Sequence, residues 1–394
     1  MYTFFSRYWR LIVVAIFVAL LSYVLLFRGL GTLTGGYSQT EVTSLHQSRS
    51  LRVIYDDPAN APYKLLVWAQ LKFGEQGLIT TRIAAASLAI FVAVLFYWVA
   101  LHWYSKRVAF LASVLFISSS GFLHAGRYGT GLILQMATLL LISCVLLYMR
   151  TRHDRLIAYL LAGLLAICLY IPGFIWFEII GLIVMRDYVR QLLKKLGPVH
   201  TILVSCLFLV IVAPLLWVGM HHLALFRTLA GLPATIPSLS TLFYNTIHLA
   251  SSVIWRGYWP PEYWLYRAPL LNVAETILLF AGLFVLFKRP ILRQNFFLIG
   301  TIVVSSLLII LGGSVSITML VPLVYLVIAG GIYYLFDQWL TVFPRNPVAR
   351  TTGLVFVFLL ATFSALYHLQ AYYTAWPNAP ETKRVYTITI KPGD

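Results

Sequence analysis

Between the first two apolar runs of this chain, residues 28 to 79 carry Glu41, Arg49, Arg52, Asp56, Asp57 and Lys64, in a sequence with only 12 acidic residues altogether. Carboxylates and guanidinium groups gathered beside a membrane suit two tasks, moving a proton and holding an anion. Asp56 and Asp57 are adjacent and repel each other. Drawn toward a partly buried cleft, one of them would hold its proton more tightly and serve as an acid or base, or a divalent ion would neutralise the pair. Asp57 also precedes Pro58, so the same residues read equally as the start of a turn built with Asn60 and Pro62. Glu41, Leu45, Arg49 and Arg52 follow one another at steps of four, four and three. That spacing predicts a short helix from Ser38 to about Arg52, lying along the membrane surface with these residues on one face.

A second polar-aromatic stretch, residues 220 to 270, carries Phe243, Tyr244, Trp255, Tyr258 and Trp259, with Arg256 and Glu262 among them. Indole and phenol rings suit the headgroup layer and the faces of sugars alike, so Arg256, Trp259 and Glu262 are candidates for ligand contact. Arg127, preceded by His124 and Gly126, is placed on a brief turn where it would meet an anion. Glu178 and Glu275 fall inside apolar runs, where a carboxylate is costly and faces either protein or a water-filled path. His221 and His222 are adjacent, point apart on regular backbone and have no third partner in sequence, so no metal site is assigned to them.

The elements that position these residues are membrane helices. The chain is 60% hydrophobic and 10% charged, whereas charged residues make up about a quarter of an ordinary soluble domain. About eleven apolar runs, each near the length of a hydrocarbon core, centre on residues 10–27, 83–103, 108–123, 131–149, 156–171, 173–185, 201–219, 271–287, 296–313, 315–335 and 352–368. Lysine and arginine concentrate in alternate connections, near residues 106, 150, 190, 290 and 345. Under the positive-inside rule this places the N-terminus in the cytoplasm and the C-terminus outside, with both long loops on the outer face of the cell (plasma or inner) membrane. The formal charge of +17 is largely this topological signal, so no nucleic-acid partner is expected. Cys144, Cys168 and Cys206 lie in apolar runs without metal-like spacing and read as small core residues. The first run is too long for a secretory signal and is expected to remain as an anchor. One transmembrane domain over residues 1–368 and a short outer tail, 369–394, complete the expected organisation.

The order of these features resembles the GT-C superfamily of integral-membrane glycosyltransferases, in particular the protein O-mannosyltransferases and lipid A aminoarabinose transferases. Gly36-Tyr37-Ser38-Gln39-Thr40-Glu41-Val42 is similar to the acidic motif of that family's first outer loop, and Ala61-Pro62-Tyr63 to its His-Pro-Pro-Leu turn. Thr81-Arg82-Ile83 through Ser87 resembles the Arg-led start of the second span. Ser118-Ser119-Ser120-Gly121-Phe122, ending in Arg127, resembles a later turn, and Arg267-Ala268-Pro269-Leu270-Leu271 the start of a later span. The likeness is fullest over residues 10 to 185. Three positions depart from it: Thr40 stands where the family carries its catalytic aspartate, Gly129 to Gly131 replace a second acidic position, and no arginine precedes Pro322.

The resemblance implies an all-α polytopic GT-C-like fold and transfer of a sugar from a polyprenyl-phosphate donor to an envelope acceptor, a lipid, glycan or protein. On that reading a first-loop carboxylate takes up the acceptor's proton, Glu41 first, then Asp57 and Asp56, while Arg49, Arg52, Arg82, Arg127 and Arg256 hold the phosphate. No organic cofactor is implied, and a divalent cation is compatible with the acidic pair. Thr40 and the missing arginine favour a rival, a lapsed relative that binds a lipid carrier without turnover. Glu178 and Glu275 favour a second rival, a transporter or flippase, although no matched pair of interrupted helices supports alternating access.

Overall fold

A computed structural model of the chain describes residues 20–74, 77–149, 155–184, 186–265, 267–290 and 292–389. The expected first span therefore lies mostly outside the described residues, which pick it up at Leu20 and end it in a π-helical turn, Tyr23–Phe27. Among the described residues every regular element that follows is a helix. Among the described residues the only extended pairing is an antiparallel bridge between Tyr37 and Ile388.

Three short helices fill the first loop: α1 (Gln39–Ser48), α2 (Leu51–Asp56) and α3 (Ala61–Phe73). The single helix expected from Ser38 to Arg52 is thus two. Ser50 leaves the helical region and its side chain accepts from the backbone N–H of Val53, which starts α2 afresh. The spans begin with α4 (Ile79–Trp103), 25 residues without proline or glycine. Its buried Ala84, Ala85, Ala86 and Ala89 let neighbouring helices approach closely. Next come α5 (Lys106–Ser118) and α6 (Ser120–Arg127), bent by 58° at Ser119, then α7 (Leu132–Met149), α8 (Arg155–Cys168) and α9 (Phe174–Val184). Helix α10 (Arg186–His221) breaks at Gly197, where the backbone turns to φ 75 and Pro198 follows, so a polar leader and an apolar span share one element.

The second loop is more ordered than its composition suggests, because α11 (Leu223–Leu229) and α12 (Leu239–Ile254) lie within residues 220–270. The chain continues through α13 (Val273–Lys288), α14 (Arg293–Ile310), α15 (Val321–Val342) and α16 (Pro347–Gln370), and then α17 (Pro380–Val385). By length and composition four stretches are able to cross a membrane, Ile79–Trp103, Arg186–His221, Ile317–Val342 and Pro347–Asn378, with the bent α5–α6 pair as a fifth. Shorter apolar helices lie at the expected spans 131–149, 156–171, 173–185 and 296–313.

The core lies where α15 packs against α13 and α5, and α4 against α7. By contrast α10 exposes Val199, Ile202, Leu209 and Val210, an apolar surface of the kind that lipid covers. Three connections cross at backbone contact beside α11. A Cβ on Gly313 would lie 2.0 Å from the carbonyl oxygen of Gly231, and one on Gly231 would lie 3.0 Å from the Cα of Gly173. Around that crossing the Gly173 N–H donates to the Leu229 carbonyl at 2.8 Å and Ser314 Oγ to the Thr228 carbonyl at 2.6 Å.

Candidate functional site

Two carboxylate–cation pairs stand on the first loop. In the first, Ser38 caps α1 with its side chain on the Glu41 N–H, and the Glu41 carboxylate returns to the Ser38 N–H, a reciprocal capping box. Ser-x-x-Glu announces that box in the sequence, where the periodicity argument placed Glu41 on a surface face. Folded, Glu41 is 0% exposed and meets Arg82 two-pronged: Nε to Oε1 at 2.7 Å and Nη2 to Oε2 at 2.9 Å. Glu41 Oε1 also accepts the backbone N–H of Gly129 at 3.0 Å. Glycine is required there, since a Cβ would lie 2.3 Å from Thr81 Oγ1 and 3.0 Å from Glu41 Oε1. The remaining Arg82 donors go to the carbonyls of Leu30 and Gly36, both at 2.8 Å, while Tyr37 lies 4.1 Å from the guanidinium carbon. Each carboxylate oxygen of Glu41 thus accepts two hydrogen bonds, and the pair ties α1, α4 and the turn after Arg127 into one knot.

The second pair faces space. Lys64 Nζ donates to Asp57 Oδ2 and to the Asp57 carbonyl, both at 2.8 Å. The lysine side chain is 5% exposed and the aspartate 39%. Burial lowers the Lys64 pKa below its usual range, with the Asp57 carboxylate pulling the other way. Around this pair a cavity of about 460 Å³ opens between the first loop and α11, lined by Gln47, Asp56, Asp57, Asn60, Lys64 and Thr228, among others. Asn60 adopts the left-handed conformation at φ 57 and fastens its N–H to the Tyr170 carbonyl at 2.8 Å. Its side-chain Oδ1 is buried without a protein partner. In the sequence Lys64 stands out only as one of the loop's charges and Asn60 only as a turn former, and Gln47 and Thr228 do not stand out at all. Asn60 before Ala61-Pro62 was a usable signal, and Thr228, 164 residues beyond Lys64, left none.

The structure brings Asp56 and Asp57 to the cavity and leaves Glu41 outside it. Arg49 and Arg52 are exposed on α1's end and α2. Arg127 is 3% exposed beside Arg82, its Nη atoms donating to the carbonyls of Leu25 and Arg28 at 3.0 and 2.8 Å. Arg256 lies exposed over the Tyr258 ring, 5.8 Å from its centre. Trp259 is half-buried with its indole N–H unpartnered, and the Glu262 carbonyl meets His124 Nε2 at 3.1 Å. Among the described residues no three His, Cys, Asp or Glu gather as metal ligands would.

The two intramembrane carboxylates differ. Glu275 is the third residue of another capping box, begun by Asn272, and its Oε2 lies 2.7 Å from His368 Nε2, with Tyr325 donating to Oε1. Glu178 is 7% exposed with Oε1 unpartnered.

Helices throughout, apolar surfaces and a charged loop folded over the ends of the spans define an all-α polytopic membrane protein. No family model matches the chain, and no curated protein is similar to it in sequence. Among solved structures it is similar to ArnT from Cupriavidus metallidurans, a crystal structure with undecaprenyl phosphate bound, at 16% identity over 95% of this chain and 76% of that one, with a TM-score of 0.49.

Proposed function

We propose that this chain is a GT-C-type membrane glycosyltransferase that moves a sugar from a polyprenyl-phosphate donor to an envelope acceptor at the outer face of the membrane. The observation that carries the reading is the cavity in which a carboxylate pair, a buried ammonium and an unpartnered amide oxygen meet. Each suits one part of such a transfer. The acceptor's hydroxyl oxygen attacks the anomeric carbon, the bond from that carbon to the phosphate oxygen breaks with its electron pair staying on the phosphate, and the hydroxyl proton passes to a carboxylate. Asp57 is the carboxylate best held for this, because Lys64 and the Ala59 N–H orient it. Lys64 places positive charge where the phosphate gains negative charge, and Asn60 Oδ1 accepts from a sugar hydroxyl. Glu41 and Arg82 act by holding the loop that carries these groups.

Purified protein incubated with a panel of polyprenyl-phosphate sugars, scored for both binding and turnover, tests the reading. Binding with turnover that Asp57→Asn lowers by about 10²- to 10⁴-fold is the expected result. Binding without turnover across the panel and a range of acceptors points instead to the carrier-binding relative. No binding to any donor overturns the proposal.

A further inference from the structure

A second, smaller and more enclosed hollow is lined by residues from the ends of the spans and from the C-terminal segment. It measures about 10 Å³, room for one water-sized sphere, and Arg82, Arg127, Tyr128, Tyr372, Trp376 and Tyr386 stand around it. Arg82 is neutralised by Glu41, whereas Arg127 forms no ion pair with a carboxylate among the described residues. Its neighbours are two backbone carbonyls, the Tyr373 hydroxyl, which accepts from Nη1 at 3.5 Å, and the rings of Tyr372 and Tyr373, at 5.8 and 5.2 Å. Its Nε–H is buried without a protein acceptor, and so is the Nε1–H of Trp376, a residue 5% exposed. The two residues that carry these orphaned donors, one of them a buried cation with no carboxylate partner among the described residues, therefore line one small space.

Buried donors are nearly always satisfied, and an orphan marks a water or ion that completes the site. A buried charge is costly until a counter-charge meets it. A water molecule would accept both N–H groups and leave the charge unbalanced. A monatomic anion needs less of that space than a phosphate or sulfate does. We infer that the hollow is a binding site for a monatomic halide such as chloride, held by Arg127 and Trp376, which fastens the C-terminal segment over the first loop. The segment is otherwise tied there by two backbone hydrogen bonds between Tyr37 and Ile388, at 2.9 and 3.2 Å, and by the buried ring of Tyr386.

Thermal unfolding of the full chain in detergent tests this, with sodium and ionic strength fixed while gluconate is exchanged for chloride, bromide or sulfate. The midpoint is expected to rise and saturate with either halide and not with sulfate. Trp376→Phe keeps the ring and removes the N–H, and is expected to weaken halide affinity about tenfold, the worth of one hydrogen bond to an ion. Arg127→Met is expected to abolish the saturable response; should that variant fail to fold, Trp376→Phe decides alone. Absence of a halide-specific rise in the unaltered chain means that water occupies the hollow and overturns the inference. A rise that Trp376→Phe leaves unchanged places the halide elsewhere and overturns it equally.

Discussion

Glu41–Arg82 and Asp57–Lys64 are the same kind of contact, 2.7 and 2.8 Å long, on one loop. They differ in what remains free. Glu41 is sealed, and every oxygen already accepts two hydrogen bonds. Asp57 is more than a third exposed, and its cation is buried. A carboxylate whose lone pairs are all engaged stabilises a fold; one held on one side and open on the other is available to a ligand. Residue type and spacing do not separate the two cases, since burial and saturation do.

The largest effect that would break this contrast is on stability. Arg82→Met strands a buried carboxylate and is expected to destabilise the protein by about 3–5 kcal/mol, read as loss of folded protein in detergent; near-native stability would show the knot to be dispensable. Asp57→Asn should do the reverse, leaving the unfolding midpoint close to that of the unaltered chain while transfer falls as given above. If its stability collapses and its residual activity per folded molecule is normal, the two pairs are alike after all.

A pH series sharpens the comparison further. Because burial lowers the Lys64 pKa, its ammonium is lost at a lower pH than an ordinary lysine's, about 10.4. Donor affinity should therefore fall as pH rises through that lowered value. The folded chain holds the proton less tightly than the unfolded one, so stability attributable to Lys64 rises over the same window. Affinity and stability moving together would exclude Lys64 as the phosphate contact. Smallest is the cap: Ser38→Ala removes the bonds to the Glu41 N–H and to the Tyr128 hydroxyl and is expected to cost about 1–2 kcal/mol, measured by chemical unfolding.

Much of the fold was legible because it rests on local pattern. Runs of apolar residues announced the helices. Ser38-x-x-Glu41 and Asn272-x-x-Glu275 were legible too, as capping boxes, although a helical-face argument and a membrane-cost argument reached those glutamates first. What the sequence hid is long-range. Nothing near Tyr37 signals that Ile388 pairs with it, or that Thr228 faces Asp57, because such contacts obey no short period. Gly129 and Gly131, noted in the sequence as missing carboxylates, are where backbone comes close to Glu41 and Asn60. The absent side chains make room for the ones that matter.

The glycine crossing at 173, 231 and 313 has a mechanical consequence for the cavity. Thr228 sits on α11, whose end is fastened to Gly173 and Ser314 through its own carbonyls, so that wall behaves as a fixed jaw. Asn60 is likewise anchored to Tyr170. The facing piece, Leu51–Asp56, buries only Ile54. Any adjustment of the mouth to ligands of different girth is therefore confined to α2, and its amides should be the ones whose hydrogen exchange slows when a ligand binds.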